Sequence, residues 1–170
     1  SNYEVPTLGK KLNDSLSTPG KRSITIPLGH YKITRKINSL KIIFRSCTSE
    51  LIMDQNKKRL FEKDKNEYTF RSLNSLLKSV IEAKKIFDKI NYEIVVTDTN
   101  SDKKDLNQIK NILSKYKLNN KLIVINLNDY KEKIFGEYTQ AKFANMANFY
   151  SSLILAKDKT NDLIYFVEDD

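Results

Sequence analysis

Lys41-Ile42-Ile43-Phe44-Arg45-Ser46-Cys47-Thr48 is the stretch at which this chain turns from irregular to patterned. An apolar run of this length, closed by small hydroxylated residues, reads as a buried β-strand. Residues 51–66 follow as a charged, aperiodic loop carrying Asp54, Lys57, Lys58 and Glu62. Over 67–90 the apolar residues Phe70, Leu73, Leu77, Val80, Ile81, Phe87 and Ile90 return every three or four positions, which lays them along one helical stripe. Tyr92-Glu93-Ile94-Val95-Val96-Thr97 is a second strand, and Asp98-Thr99-Asn100-Ser101-Asp102 supplies a polar turn with Asp102 as the cap of the next helix. Leu106, Ile109, Leu113 and Tyr116 mark that helix, and Asn119-Asn120 ends it. A third strand covers 121–127. After the loop around Gly136, a helix runs from about 139 through Phe143, Met146, Ala147 and Tyr150 to 156, and Leu163-Ile164-Tyr165-Phe166-Val167 is a fourth strand.

Strand and helix alternating in this way predict an α/β fold, a mainly parallel sheet with helices on both faces, because right-handed crossovers leave few other packings. Ligands of such sheets bind beyond the carboxyl ends of the strands. Four polar segments are predicted there: Thr48-Ser49-Glu50, residues 98–102, the loop near Gly136, and Glu168-Asp169-Asp170.

Upstream of the first strand the pattern is broken by Pro6, Pro19-Gly20 and Pro27-Leu28-Gly29, and only Ser23-Ile24-Thr25-Ile26 resembles a short strand. Residues 1–40 are read as an extension packed on a domain formed by 41–170. The whole chain, 170 residues, suits one modest core. Its 39% hydrophobic residues exclude a wholly disordered chain. One cysteine, Cys47, excludes a disulfide scaffold or a cysteine-built zinc site and reads as a reduced core thiol. No run approaches the ~18 apolar residues that cross a bilayer, and no apolar signal core opens the chain, so a cytoplasmic protein is expected.

Thirty Lys and Arg against 21 Asp and Glu give 30 − 21, a net +9. Nine of those cations face only Glu4, Asp14 and Glu50 within residues 1–50, a local +6. That asymmetry suggests an anionic partner near the amino-terminal part, whether a nucleotide phosphate, a membrane surface or nucleic acid; the plain alternative is a solvated basic face with no partner. The sole histidine, His30, has no neighbouring ligand residue and reads as structural.

The three acids of Glu168-Asp169-Asp170, placed directly after an apolar strand, repel one another unless a cation sits among them. Hard ions such as Mg²⁺ and Mn²⁺ accept carboxylate and phosphate oxygens together. Strand alternation puts Glu168 and Asp170 on one side and Asp169 on the other. The plain alternative is a solvated strand end. Asp98, closing the second strand, can accept hydrogen bonds from a base or ribose, or simply shape its turn. Thr48, Ser49 and Glu50 offer backbone and hydroxyl groups at the end of the first strand.

The order of these pieces resembles the GT-A class of nucleotide-sugar-dependent glycosyltransferases, especially the large inverting family that includes many bacterial polysaccharide enzymes. The resemblance covers 41–170 and rests on FRSCTSE at 44–50, YTFRSLNSLL at 68–77, VVTDTNSD at 95–102, GEYTQAKFAN at 136–145 and LIYFVEDD at 163–170. It implies a donor site for a sugar nucleotide, with UDP favoured. Thr48, Ser49 and Glu50 would line it, Asp98 would touch the nucleobase, and Lys142 and Asn145 would lie near the phosphates. Asp169 would lie near the sugar, and Glu168 and Asp170 would hold Mn²⁺ or Mg²⁺. This chain departs from the family in two places. Thr97-Asp98-Thr99-Asn100 replaces the commoner paired acids and glycine, and Lys142 or Asn145 stands where an arginine is often found.

The family carries its acceptor site and catalytic base after the acidic motif, so 41–170 resembles the donor-binding half of a longer polypeptide. The base is not visible in this sequence, and the acceptor, whether glycan, lipid-linked or protein, is left open. The basic amino-terminal region allows peripheral attachment to a membrane. A sugar nucleotidyltransferase would show a Gly-rich loop after the first strand, where Thr48-Ser49-Glu50-Leu51 has no glycine. A nucleic-acid module would show a recognisable motif, so no nucleic acid is expected. Dehydrogenase-type readings need GxGxxG.

Overall fold

In a computed structural model of the chain, residues 10–11, 24–25, 36–49, 64–159 and 162–169 are described. The chain divides into two compact units, Ser1–Lys36 and Ile37–Asp170. In the first, β1 (Lys10–Lys11) and β2 (Ile24–Thr25) form an antiparallel pair with Lys10 opposite Thr25 and Lys11 opposite Ile24. The strand read at 23–26 is present here at two residues. The other residues of the amino-terminal extension up to 35 lie outside those described.

The second unit is the α/β layer predicted from the alternation. Its elements are β3 (Ser39–Ser46), α1 (Lys65–Ile86), β4 (Asn91–Asp98), α2 (Lys103–Ser114), β5 (Asn119–Val124), a 3₁₀ turn at Leu127–Tyr130, α3 (Gln140–Lys159) and β6 (Leu163–Glu168). The four strands pair in parallel in the order β5-β4-β3-β6. Chain direction through the sheet therefore reverses once. From β3 the chain steps outward to β4 and β5, then returns across the sheet to lay β6 on the free side of β3.

Alternation explains why both faces are covered. Ile42, Phe44, Ile94 and Val96 point to one face, where they form a core with Leu73, Leu77 and Val80 of α1 and Ile109, Ile112 and Leu113 of α2. Each large side chain buried there contributes about 1.5–3 kcal/mol relative to exposure. Thr97 points the other way and bonds Asn148 and Ser152 of α3. Steps in one direction carry right-handed crossovers on one face, and the return step places α3 on the other.

Asp64 is the N-cap of α1, and its side chain makes no capping bond; Glu67 in the first turn and Lys84 and Lys85 in the last suit the helix dipole. It ends earlier than the apolar spacing suggested. Phe87 is its C-cap and half exposed, because three residues must turn the chain into β4. α2 is capped as expected: Asp102 accepts from the Asp105 amide at 2.8 Å. Asn119 and Asn120 belong to β5 instead of ending α2; Asn120 folds its amide back onto the carbonyls of Leu113 and Leu118. Cys47 is half-buried just past β3, outside the core.

β6 is pinned in register from its first residues. The Asp162 carboxylate accepts from the Asn38 and Ser39 amides at 2.7 and 3.1 Å, which aligns Leu40 with Leu163 and Arg45 with Glu168. Among the described residues, no helix is long and apolar enough to cross a membrane.

Candidate functional site

The reversal of strand order lies between β3 and β6, and in open parallel sheets the crevice outside the carboxyl ends at such a point is where ligands bind. Cys47, Thr48 and Ser49 follow β3 there, Asp98 closes β4 beside them, and Asp169 follows β6.

Asp98 is fully buried. Its Oδ2 accepts from the hydroxyls of Ser46 and Ser101, both at 2.6 Å, and its Oδ1 accepts from the Ser101 amide at 3.3 Å. The Ser101 hydroxyl in turn accepts from the Thr48 amide at 2.9 Å. One carboxylate thus ties the ends of β3 and β4 to the turn between β4 and α2. Burial pushes the Asp98 carboxyl above its ordinary value; the bonds from Ser101 and Ser46 oppose that rise, and the negative charge of Asp169 adds to it. Inside this turn Asn100 adopts a left-handed φ of 66°. Asparagine tolerates that conformation better than most residues.

Asp169 is buried on the α1 side of the sheet. Its Oδ2 accepts from the Cys47 amide at 3.2 Å and the Thr69 hydroxyl at 2.8 Å, and Lys65 approaches its Oδ1 to 3.8 Å. Lys65 and Thr69 come from the first turns of α1, whose amino end faces this corner through those contacts.

Glu168 lies on the opposite, α3 side. Its Oε1 receives Arg45 Nη1 at 2.7 Å, while Arg45 Nη2 donates to Asn145 Oδ1 at 3.2 Å and the guanidinium lies 5.2 Å from the centre of the Phe149 ring. Arg45 itself is buried, and its Nε has no hydrogen-bond partner.

Asn148 of α3 joins the two strand ends from the same face. Its amide donates to the carbonyls of Ser46 and Thr97, both at 3.1 Å, and its Oδ1 accepts from Thr97 Oγ1 at 2.7 Å. Two further hydroxyls at this edge, Thr48 Oγ1 and Thr99 Oγ1, are buried without a hydrogen-bond partner. Such groups are uncommon and each calls for a reason.

The fold therefore gathers Thr48, Asp98 and Asp169 into one corner, and links Asn145 to Glu168 through Arg45. Ser49 is exposed beside Thr48, and Lys142 is exposed in the first turn of α3, where its amide donates to Thr139 Oγ1 at 3.3 Å. Glu50 and Asp170 lie outside the described residues. Five residues of this corner were not singled out from the sequence: Arg45, Ser46, Lys65, Thr69 and Asn148. Arg45 had a signal, since a charge inside an apolar strand needs a partner. Asn148, a polar residue on the sheet-facing side of a helix, had a fainter one.

The described carboxylates do not by themselves make a divalent-ion site. Glu168 and Asp169 diverge to opposite faces, each already holds protein donors, and among the described residues no three His, Cys, Asp or Glu side chains come together to hold a metal.

A scan against protein-family models and searches of curated proteins and of solved structures found no match to this chain. The fold defines its class: an α/β protein with a Rossmann-like, all-parallel four-stranded sheet.

Proposed function

We propose that residues 41–170 are the donor-binding half of a nucleotide-sugar-dependent glycosyltransferase, with UDP as the favoured nucleotide. The observation that carries this reading is the polar corner at the strand-order reversal, where Asp98, Asp169, Lys65 and the unpaired hydroxyls of Thr48 and Thr99 meet. Nucleotides bind open parallel sheets at this place.

In this reading the Asp98–Ser46–Ser101 bonds hold the ends of β3 and β4 rigid, which keeps the crevice open to a flat base. Asp98 acts through that frame, because its oxygens are already occupied. Thr48 and Thr99 offer hydroxyls for the base or ribose. Lys65, held loosely by Asp169, supplies positive charge for a diphosphate, and the amino end of α1 adds its dipole in the same sense. A stabilised diphosphate is a better leaving group when an acceptor hydroxyl attacks the anomeric carbon. Mn²⁺ or Mg²⁺, which the resemblance implies, would supply further charge of the same kind.

The test is calorimetry of the chain with UDP and with GDP, each with and without Mn²⁺. UDP should bind more tightly than GDP, and Lys65→Met should weaken UDP binding about tenfold, equivalent to about 1.4 kcal/mol. Absence of binding to both nucleotides under both conditions would sink the proposal.

A further inference from the structure

We infer that Glu168 is the fixed counter-ion of Arg45 and not a cation ligand, so that Arg45 sets how strongly the acidic end of β6 attracts a divalent ion. The inference deepens the donor-site reading and rests on it for the location of the site.

Arg45 occupies the penultimate position of β3, in register with Glu168 on β6. Its side chain is 8% exposed, against 56% for Glu168. That asymmetry decides which partner is committed. A guanidinium keeps its charge at any physiological pH, and one buried beneath α3 cannot be left without an anion at small cost. Glu168 could leave for solvent or a metal cheaply on its own account, but Arg45 would then be stranded. The guanidinium is also held from its other side, by Asn145 Oδ1 at 3.2 Å and by the Phe149 ring at 5.2 Å, so it cannot follow a departing carboxylate. A metal recruiting Glu168 must therefore break a 2.7 Å charge-assisted bond and expose the cost of a buried, unpaired charge. On the opposite face Asp169 is likewise engaged, by Cys47, Thr69 and Lys65. Two of the three successive acids thus find their positive charge inside the fold.

The experiment titrates the full chain with Mn²⁺ alone and follows the electron paramagnetic resonance signal of the free ion. Glu168→Gln, on a half-exposed side chain, should match the parent chain within about twofold. Arg45→Met, which frees Glu168, should gain about tenfold in Mn²⁺ affinity. A tenfold loss in Glu168→Gln overturns the inference, as does a folded Arg45→Met chain with no gain. Should Arg45→Met fail to fold, as judged by circular dichroism, Glu168→Gln decides alone. UDP titrated into the same samples reads the donor-site proposal separately: its failure to bind counts against that proposal, while the Mn²⁺ comparison stands by itself.

Discussion

A carboxylate enclosed by two hydroxyls and an amide, as Asp98 is, records a competition between burial and hydrogen bonding. Burial prevails, and the folded protein holds the Asp98 proton to higher pH than the unfolded chain does. In the window between the ordinary and the raised value the native state binds more protons, so stability falls as pH rises. The favourable contribution is fully present below the ordinary carboxylate value and is lost as pH climbs through the raised one. Asp98→Asn removes the titration. The difference in unfolding free energy, parent minus variant, should therefore decline as pH rises above the range of a free aspartate. Urea denaturation at stepped pH measures it; a flat difference would show that Asp98 titrates alike in both states. Glu93 behaves oppositely. Burial would raise its pKa, but hydrogen bonds and charges from Lys121 and Lys41 outweigh that and hold it below the ordinary value. Its contribution is present above the ordinary value and disappears as pH falls through the lowered one.

At the level of elements, α3 is the unusual piece. It turns Ala144, Ala147, Asn148, Ser151, Ser152 and Ala156 toward the sheet and leaves Met146, Phe149, Tyr150, Leu153 and Ile154 substantially exposed. Small residues let the helix sit close enough for Asn148 to reach carbonyls of both β3 and β4. Asn148→Leu keeps the volume but removes the donor to Ser46 and Thr97 and the acceptor of Thr97 Oγ1. Buried groups left unpaired in this way should cost about 3 kcal/mol, read from the urea midpoint. Ser152→Ala, which removes one partner of the same network, should cost about 1 kcal/mol. Equal effects from the two would place the energy in packing and not in the amide bonds.

The same helix shows where reading the chain from residue types succeeds and where it stops. β3, β4, α1 and α2 were legible because their apolar residues recur with the period of the element and point into one core. α3 was legible as a helix, but its apolar positions did not say which side met the sheet, since polar groups satisfied by strand carbonyls can be buried as readily as apolar ones. The ends of elements were legible to within a few residues. Asn119 and Asn120 misled because asparagine commonly ends helices, and only the neighbouring β4 shows that their backbone belongs to a ladder. In the candidate site, Thr48, Asp98 and Asp169 could be located from strand ends. Lys65 and Thr69 could not, because they enter from a helix whose start is marked by no capping side chain.

On the scale of the whole molecule, residues 37–170 hold the parallel sheet and α1, α2 and α3, and their charge is (30 − 7) − (21 − 2), or +4, leaving +5 on residues 1–36. A chain beginning at Lys36 retains Asn38 and Ser39, the amides that Asp162 grips. It should keep a single cooperative urea transition with a slope appropriate to its size. Loss of that transition would mean that the sheet cannot form without the first 35 residues.

The central position of β3 also bears on how the protein is made. Arg45 and the carboxylate that receives it are separated by 123 positions along the chain. During synthesis Ile42, Ile43 and Phe44 emerge long before β6 exists, and contacts this distant close slowly. Until translation reaches β6, the middle of the nascent sheet has one flank bare, and that interval is when holdase chaperones at the ribosome would be of most use to it.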